Sequence, residues 1–222
     1  MSKKNISQER IIQAFLASAF EKSAGATSLA DISDSLEIKK ASLYNHFENR
    51  DSMYDATIEY CGKEISAISF LAERTIEAII SDKSNPQTLF KRLISRYFNL
   101  FENEPLFTMY VFIHTEQYFN AAALAVVTKE IDKIEDEIKQ VLTALQSTGK
   151  IVNKTEKEIK EISATITAII LQQRDIYIAK KKETVRQNPE CGVGSLFALP
   201  TDETAVNRAV KLVDLIVKGL FV

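Results

Sequence analysis

The sequence of 222 residues predicts an all-α fold, with an N-terminal three-helix helix-turn-helix head on a larger C-terminal helical domain. Four prolines and six glycines leave long stretches without helix breakers. Apolar residues recur at i, i+3 and i+4 through most of the chain. Residues 27–50 read as two short helices joined by a tight turn. That motif divides the chain into a head, residues 1–50, and a body, residues 51–222.

The first helix is expected over 7–23, where Ile11, Ile12, Phe15, Ala19 and Phe20 share a face that would cover the two-helix motif. Ser28 and Asp31 match the Ser-x-x-acid capping pattern and start the second helix, with Leu29, Ile32 and Leu36 facing inward. Glu37 occupies the turn. Lys39–Phe47 is expected as the third helix, with Leu43 and Phe47 as its inward pair. Lys39, Lys40, Ser42, Tyr44, Asn45 and His46 are left mostly outward, a set that suits a helix entering the major groove of DNA. Lys39 and Lys40 oppose the dipole of their own helix, by about 0.3–1 kcal/mol each, and phosphates would supply the missing negative charge. Taken alone, the two lysines read equally as a solvated helix start, and His46 as a half-buried ring packing the helix end.

At Thr27-Ser28-Leu29, Ile32 and Leu43-Tyr44-Asn45-His46-Phe47 the chain resembles the TetR/AcrR family of bacterial one-component transcriptional regulators. The family pattern has glycine where Glu37 stands, a capping hydroxyl residue where Lys39 stands, alanine at Ser33 and lysine at Arg50. If the turn needs positive φ, Glu37 carries about 1–2 kcal/mol of strain. The resemblance implies that Thr27 or Ser28, Tyr44, His46 and Arg50 contact phosphates. It implies that Lys39, Lys40, Ser42 and Asn45 face phosphates or base edges. By donor–acceptor geometry Asn45 suits adenine and the lysines suit guanine.

Beyond the head, a linking helix is expected over 51–66 with Met53, Tyr54, Ile58 and Cys61 apolar, and helical pattern continues to about Ser81. Ser84-Asn85-Pro86 marks a break, with Pro86 suited to the first turn of the next helix. Helices over 87–102 and 105–119 carry nine aromatic rings within about 30 residues: Phe90, Tyr97, Phe98, Phe101, Phe107, Tyr110, Phe112, Tyr118 and Phe119. These rings are open to two readings, a packed core or the lining of an apolar cavity with His114, Glu116 and Gln117 as polar anchors. The family resemblance favours the cavity, and the expected pocket is Phe98, Phe101, Phe107, Tyr110, His114, Gln117 and Gln173.

A charged helix follows over 121–146, ended by Gly149. Asn153 and Glu156 are expected to cap a long helix to about Arg186, whose centre, Ile162 to Leu171, is apolar nearly all round. A loop with Pro189, Gly192, Gly194 and Pro200 leads to Thr201, the expected cap of the last helix. Ile166, Ile169, Val206, Val210, Val213, Ile216 and Val217 either close the monomer core or form a homodimer interface. A two-fold DNA reader needs the dimer.

Composition narrows the function. The net charge is −2, and residues 1–50 hold seven Lys/Arg against six Asp/Glu. DNA binding would come from a local patch rather than from global charge. The two cysteines, Cys61 and Cys191, imply no disulfide framework. The N-terminus lacks the apolar run of a signal peptide, and no segment approaches the ~18 apolar residues of a membrane span, so a cytoplasmic protein is expected. Two histidines and no Glu-x-x-His pair argue against a metal site. No phosphate-binding glycine loop or Gly-x-Ser-x-Gly elbow occurs, so neither an enzyme nor a cofactor is expected. Two functions remain. One is a ligand-responsive repressor, released from a palindromic operator by a small apolar or aromatic effector. The other is a helical DNA-binding architectural or accessory protein controlled by a protein partner. A closed apolar cavity favours the first, and a large exposed apolar patch the second.

Overall fold

The computed structural model describes residues 6–81, 85–188 and 203–220, and the regular structure among them is helical. In chain order the α-helices are α1 (Gln8–Lys22), α2 (Leu29–Ser35), α3 (Arg50–Ala67), α4 (Thr75–Ile80), α5 (Pro86–Asn99), α6 (Leu106–Glu116), α7 (Ala121–Ser147), α8 (Glu156–Gln187) and α9 (Glu203–Lys218). Short 3-10 turns occupy Lys40–Asn45 and Leu100–Glu102. Two units form by packing: the chain up to Ala67 with Pro105–Thr128, and Ile68–Glu104 with the residues from Lys129 on. These boundaries do not coincide with the division at residue 50 drawn from the motif.

In the first unit, α1 buries Ile11, Ile12, Phe15, Leu16 and Ala19 against α2, α3 and α6. The capping box expected at Ser28 and Asp31 forms. The Asp31 amide donates to Ser28 Oγ at 3.2 Å, and the Ser28 amide donates to Asp31 Oδ2 at 2.7 Å. Lys22, 2.5 Å from the Asp31 carboxylate, and the Ser28 hydroxyl hold that carboxyl well below the usual range. A depressed carboxylate contributes its full stability above its unfolded value, and loses it progressively as pH falls from there through the folded one. α2 ends in a Schellman motif: the Ile38 amide donates to Ser33 O at 3.0 Å and the Glu37 amide to Asp34 O at 3.1 Å. Glu37 takes the left-handed position, φ +54°, that this motif usually gives to glycine.

The second unit contains α4, α5, α8, α9 and the greater part of α7. Asn85 Oδ1 accepts the Thr88 amide at 3.2 Å and caps α5, with Pro86 in its first turn as expected. Ser84 lies outside the described residues. α9 packs on α5 and α8 and buries Ala205, Ala209, Val213 and Val217. The core encloses a buried polar cluster. Arg174 Nη1 donates to Glu130 Oε1 and to the Tyr97 hydroxyl, both at 3.0 Å, and the Tyr97 hydroxyl donates to the same carboxylate at 3.0 Å. Burial, and then the Glu130 charge, push the Tyr97 phenol up, so it stays a neutral donor. Phe70 and Phe101 flank the Tyr97 ring at centroid distances of 5.7 and 5.3 Å.

Four sequence expectations are corrected. Helix does not continue from 51 to 81, because α3 stops at Ala67 and α4 starts at Thr75. Glu137 takes the Phe70 and Leu71 amides at 2.6 and 3.2 Å, and Arg96 and Lys133 take the carbonyls of Ile68, Ser69 and Phe70. Backbone groups satisfied by remote side chains have no need of helical partners. The box that opens α8 is Thr155 with Glu158, two residues beyond the expected Asn153 and Glu156. Lys39–Phe47 is not an α-helix: a 3-10 turn occupies Lys40–Asn45, and Lys39 ahead of it offers no side-chain cap. Tyr118 and Phe119 lie outside the aromatic core, 80 and 82 % exposed. Gly149 ends α7 as expected, at φ +68°. Thr201, Pro189, Gly192, Gly194, Pro200 and Cys191 lie outside the described residues.

Replacing Glu37 by glycine should relieve the left-handed strain, about 1–2 kcal/mol, against about 0.4–1 kcal/mol of added unfolded-state freedom. Urea unfolding should register a net gain of about 0.5–1 kcal/mol. A loss would show that the Glu37 side chain outweighs its backbone strain.

Candidate nucleic-acid interface

The turn Lys40–Asn45 is short, yet it separates its two sides cleanly. Leu43 and Phe47 are 1 and 8 % exposed and anchor it inward. Lys39, Lys40, Tyr44 and Asn45 are exposed, and Ser42 and His46 half-buried. Tyr44 is 51 % exposed, with its phenol open to solvent on the same side as the two lysines. Gln8 Nε2 donates to the His46 carbonyl at 3.0 Å, so α1 fixes the end of the turn. The next helix is capped by Asn49, whose Oδ1 accepts the Ser52 amide at 2.8 Å. Two cations, an amide, a hydroxyl and a phenol on one outward ridge are the donors that phosphates and base edges require.

The other residues expected at DNA have internal partners. Thr27 is buried, and its hydroxyl donates to Ser23 O at 2.9 Å. Ser28 is exposed, and its hydroxyl is engaged in the capping box. Arg50 Nε donates to Thr27 O at 2.8 Å, its Nη2 donates to Ala24 O, and its guanidinium lies 5.8 Å from the Phe15 ring centroid. The sequence reading did not single out Gln8 or Asn49. The Asn49-x-x-Ser52 spacing was a legible signal, whereas Gln8 meets a residue 38 positions away.

The expected pocket residues divide between the units. Phe107 and Tyr110 are buried in the first, and the Tyr110 ring stacks on His114 at 5.4 Å, with Gln117 Nε2 donating to the His114 carbonyl at 2.7 Å. Phe98, Phe101 and Gln173 are buried in the second. A groove of about 420 Å³ in the second unit is lined instead by Ile76 and Ile80 of α4 and by α7 residues that include Asp136, Lys139 and Thr143. Of the expected interface residues, Ile166, Val213 and Val217 are fully buried within the protomer. Ile169, Val206, Val210 and Ile216 are half-exposed. The centre of α8 is therefore not covered all round, and Ile176 and Leu215 are 40 and 69 % exposed. Burial pushes the Cys61 thiol up to about 12, which leaves it an unreactive core group. Among the described residues no group of His, Cys, Asp and Glu is arranged to hold a metal, and no helix is long and apolar enough to cross a membrane.

Residues 11–57 match the family model described as bacterial regulatory proteins, tetR family. The chain is 41 % identical over 54 residues to the biofilm operon icaADBC HTH-type negative transcriptional regulator IcaR of Staphylococcus epidermidis, a match spanning 24 % of this chain and 29 % of that relative. It is 29 % identical over 146 residues to the IcaR of Staphylococcus aureus, spanning 61 % of this chain and 73 % of the relative. The crystal structure of a TetR transcription regulator from Haloarcula marismortui shares the fold, with a TM-score of 0.60 at 12 % identity over 97 % of this chain and 98 % of the other.

Arg50→Ala should leave the Thr27 carbonyl without its donor and the Ala24 carbonyl with the Thr27 amide alone, and destabilise the protein by about 1–3 kcal/mol. Arg50→Lys keeps the charge but not the fork, and should recover only part of the loss. Unchanged unfolding of Arg50→Ala would show that the side chain has no structural role.

Proposed function

We propose that the chain is a TetR-family transcriptional regulator and acts as a ligand-responsive repressor, a reading supported by the match of residues 11–57 to the tetR family model and by the likeness to the IcaR regulators. It binds a palindromic operator as a homodimer and is released by a small apolar effector. The observation that carries the DNA reading is the ridge of exposed Lys39, Lys40, Tyr44 and Asn45 above inward Leu43 and Phe47. In this proposal Lys39, Lys40, Ser42, Tyr44, Asn45 and His46 meet DNA, Ser28 adds a phosphate contact at the start of α2, and Thr27 and Arg50 hold the frame. The negative regulators among the relatives support repression. Phe98, Phe101, Phe107, Tyr110, His114, Gln117 and Gln173 are the proposed effector residues. An effector acts by preferring a body shape that spaces the two recognition turns away from about 34–36 Å, one turn of DNA. A coupling of about 1–3 kcal/mol changes DNA affinity about 5- to 150-fold, and operator must weaken effector binding by the same factor. Control by a protein partner is the second reading, favoured by the exposed Tyr118, Phe119 and Leu124.

The test is a gel-shift series with duplexes from the DNA flanking its own gene, at several salt concentrations. Tyr44→Ala should weaken all sequences alike, whereas Asn45→Ala should alter sequence preference by about 1–3 kcal/mol. An affinity insensitive to salt would contradict phosphate contact.

For the homodimer, the half-exposed Ile169, Val206, Val210 and Ile216, continued by Ile176 and Leu215, form the proposed face, with Ile166, Val213 and Val217 packed behind it. Ile216→Glu would place a charge in that seam and should yield monomers in sedimentation velocity. A wild-type monomer at micromolar concentration would remove the dimer from the proposal.

A further inference from the structure

Glu116 stands where a carboxylate is disfavoured twice. It closes α6, whose C-terminal end carries negative partial charge, and only 7 % of it is exposed. Buried charges need specific partners, and a locally unfavourable residue marks a place where another demand has won. The Tyr54 hydroxyl of α3 donates to Glu116 Oε2 at 2.6 Å. The Asn120 side chain lies beside the Tyr54 phenol, and its Oδ1 accepts the Ala122 and Ala123 amides at 2.8 and 3.3 Å and so opens α7. One phenol therefore joins α3 to the corner where α6 ends and α7 begins. Burial and the Glu116 carboxylate push that phenol up, which keeps it a neutral donor.

The contacts continue from this corner to the recognition motif, all within the first unit. The Tyr54 ring meets Phe15 at 6.3 Å and Phe112 at 6.1 Å, and those two meet edge-on at 6.2 Å. Phe15 carries the Arg50 guanidinium, and Arg50 holds the carbonyls of Ala24 and Thr27. Thr27 precedes the cap of α2, and α2 packs on the turn Lys40–Asn45.

We propose that Tyr54 and Glu116 are positioning residues, whose hydrogen bond ties the α6–α7 corner to α3 and thereby sets the pose of the recognition motif. The effect on DNA rests on the regulator reading, whereas the effect on the motif's order does not. The bond gives a change at the α6–α7 corner a polar route to residues 27–47, beside the direct packing of α6 on α1 and α3.

The test uses the full chain and four variants: Tyr54→Phe, Glu116→Leu, their double, and Glu116→Gln, which keeps an acceptor for the phenol. Amide hydrogen exchange over residues 27–47 is followed by mass spectrometry without DNA. Affinity is measured for a duplex that the wild type selects from a random pool. Tyr54→Phe and Glu116→Leu should each speed exchange in 27–47 and weaken binding about three- to tenfold, the size of one net hydrogen bond. The double should be no worse than either single, as expected for two ends of one bond. Glu116→Gln should stay near wild type. Exchange in 27–47 unchanged, DNA affinity within twofold of wild type, or losses that add in the double would each overturn the proposal. A wild type that selects no duplex would sink the regulator reading instead, and the exchange arm would then decide the coupling alone.

Discussion

The head of this protein depends on one guanidinium. Arg50 begins α3, yet its side chain reaches back to the Ala24 and Thr27 carbonyls and covers the face of Phe15. These carbonyls lie in the connection between α1 and α2, outside the helical ladders, where the Thr27 amide also donates to Ala24 O at 3.2 Å. Arginine meets the need because its donors form a fixed planar fork and its face stacks on an aromatic ring. Three helices, α1, α2 and α3, are thereby referred to one side chain, and the turn that follows α2 inherits its position from them. The turn Lys40–Asn45 itself is too short to hold its own geometry. Its anchors are Leu43, Phe47 and the bond from Gln8.

The second unit applies the same rule to its interior. Arg174, Glu130 and Tyr97 are almost wholly buried and hydrogen-bond one another at 3.0 Å. Such a cluster adds little stability over a well-packed apolar core, while losing one member is strongly destabilising. Its effect is to fix the register of α5, α7 and α8, one residue from each. Glu137, Arg96 and Lys133 do the same for residues 68–71, holding non-helical backbone by its amides and carbonyls.

Surface chemistry then follows from what the frames leave outside. The exposed ridge of Lys39, Lys40, Tyr44 and Asn45 is polar and locally cationic in a chain whose net charge is −2. A partner drawn to that ridge is recognised by local geometry, not by the long-range field. The half-exposed aliphatics of α8 and α9 are a different surface, apolar along Ile169, Ile176, Val206, Val210, Leu215 and Ile216, and suited to a partner of equal apolarity.

The sequence by itself determined whatever depends on residues three or four apart. The Ser28–Asp31 box, the inward pair Leu43 and Phe47, the Asn85–Pro86 helix start and the stop at Gly149 were legible because each is a local pattern. Where two local patterns competed, it misjudged the register, as at Thr155 against Asn153. The tertiary structure alone decided how the polar side chains pair. Arg50 meets Thr27 across 23 positions, Tyr54 meets Glu116 across 62, and Glu137 meets Phe70 across 67. A side chain at the surface can satisfy itself with water and needs no particular partner. Once buried it must find one, and which one it finds is set by the helices that pack against it, for which no spacing along the chain is a guide.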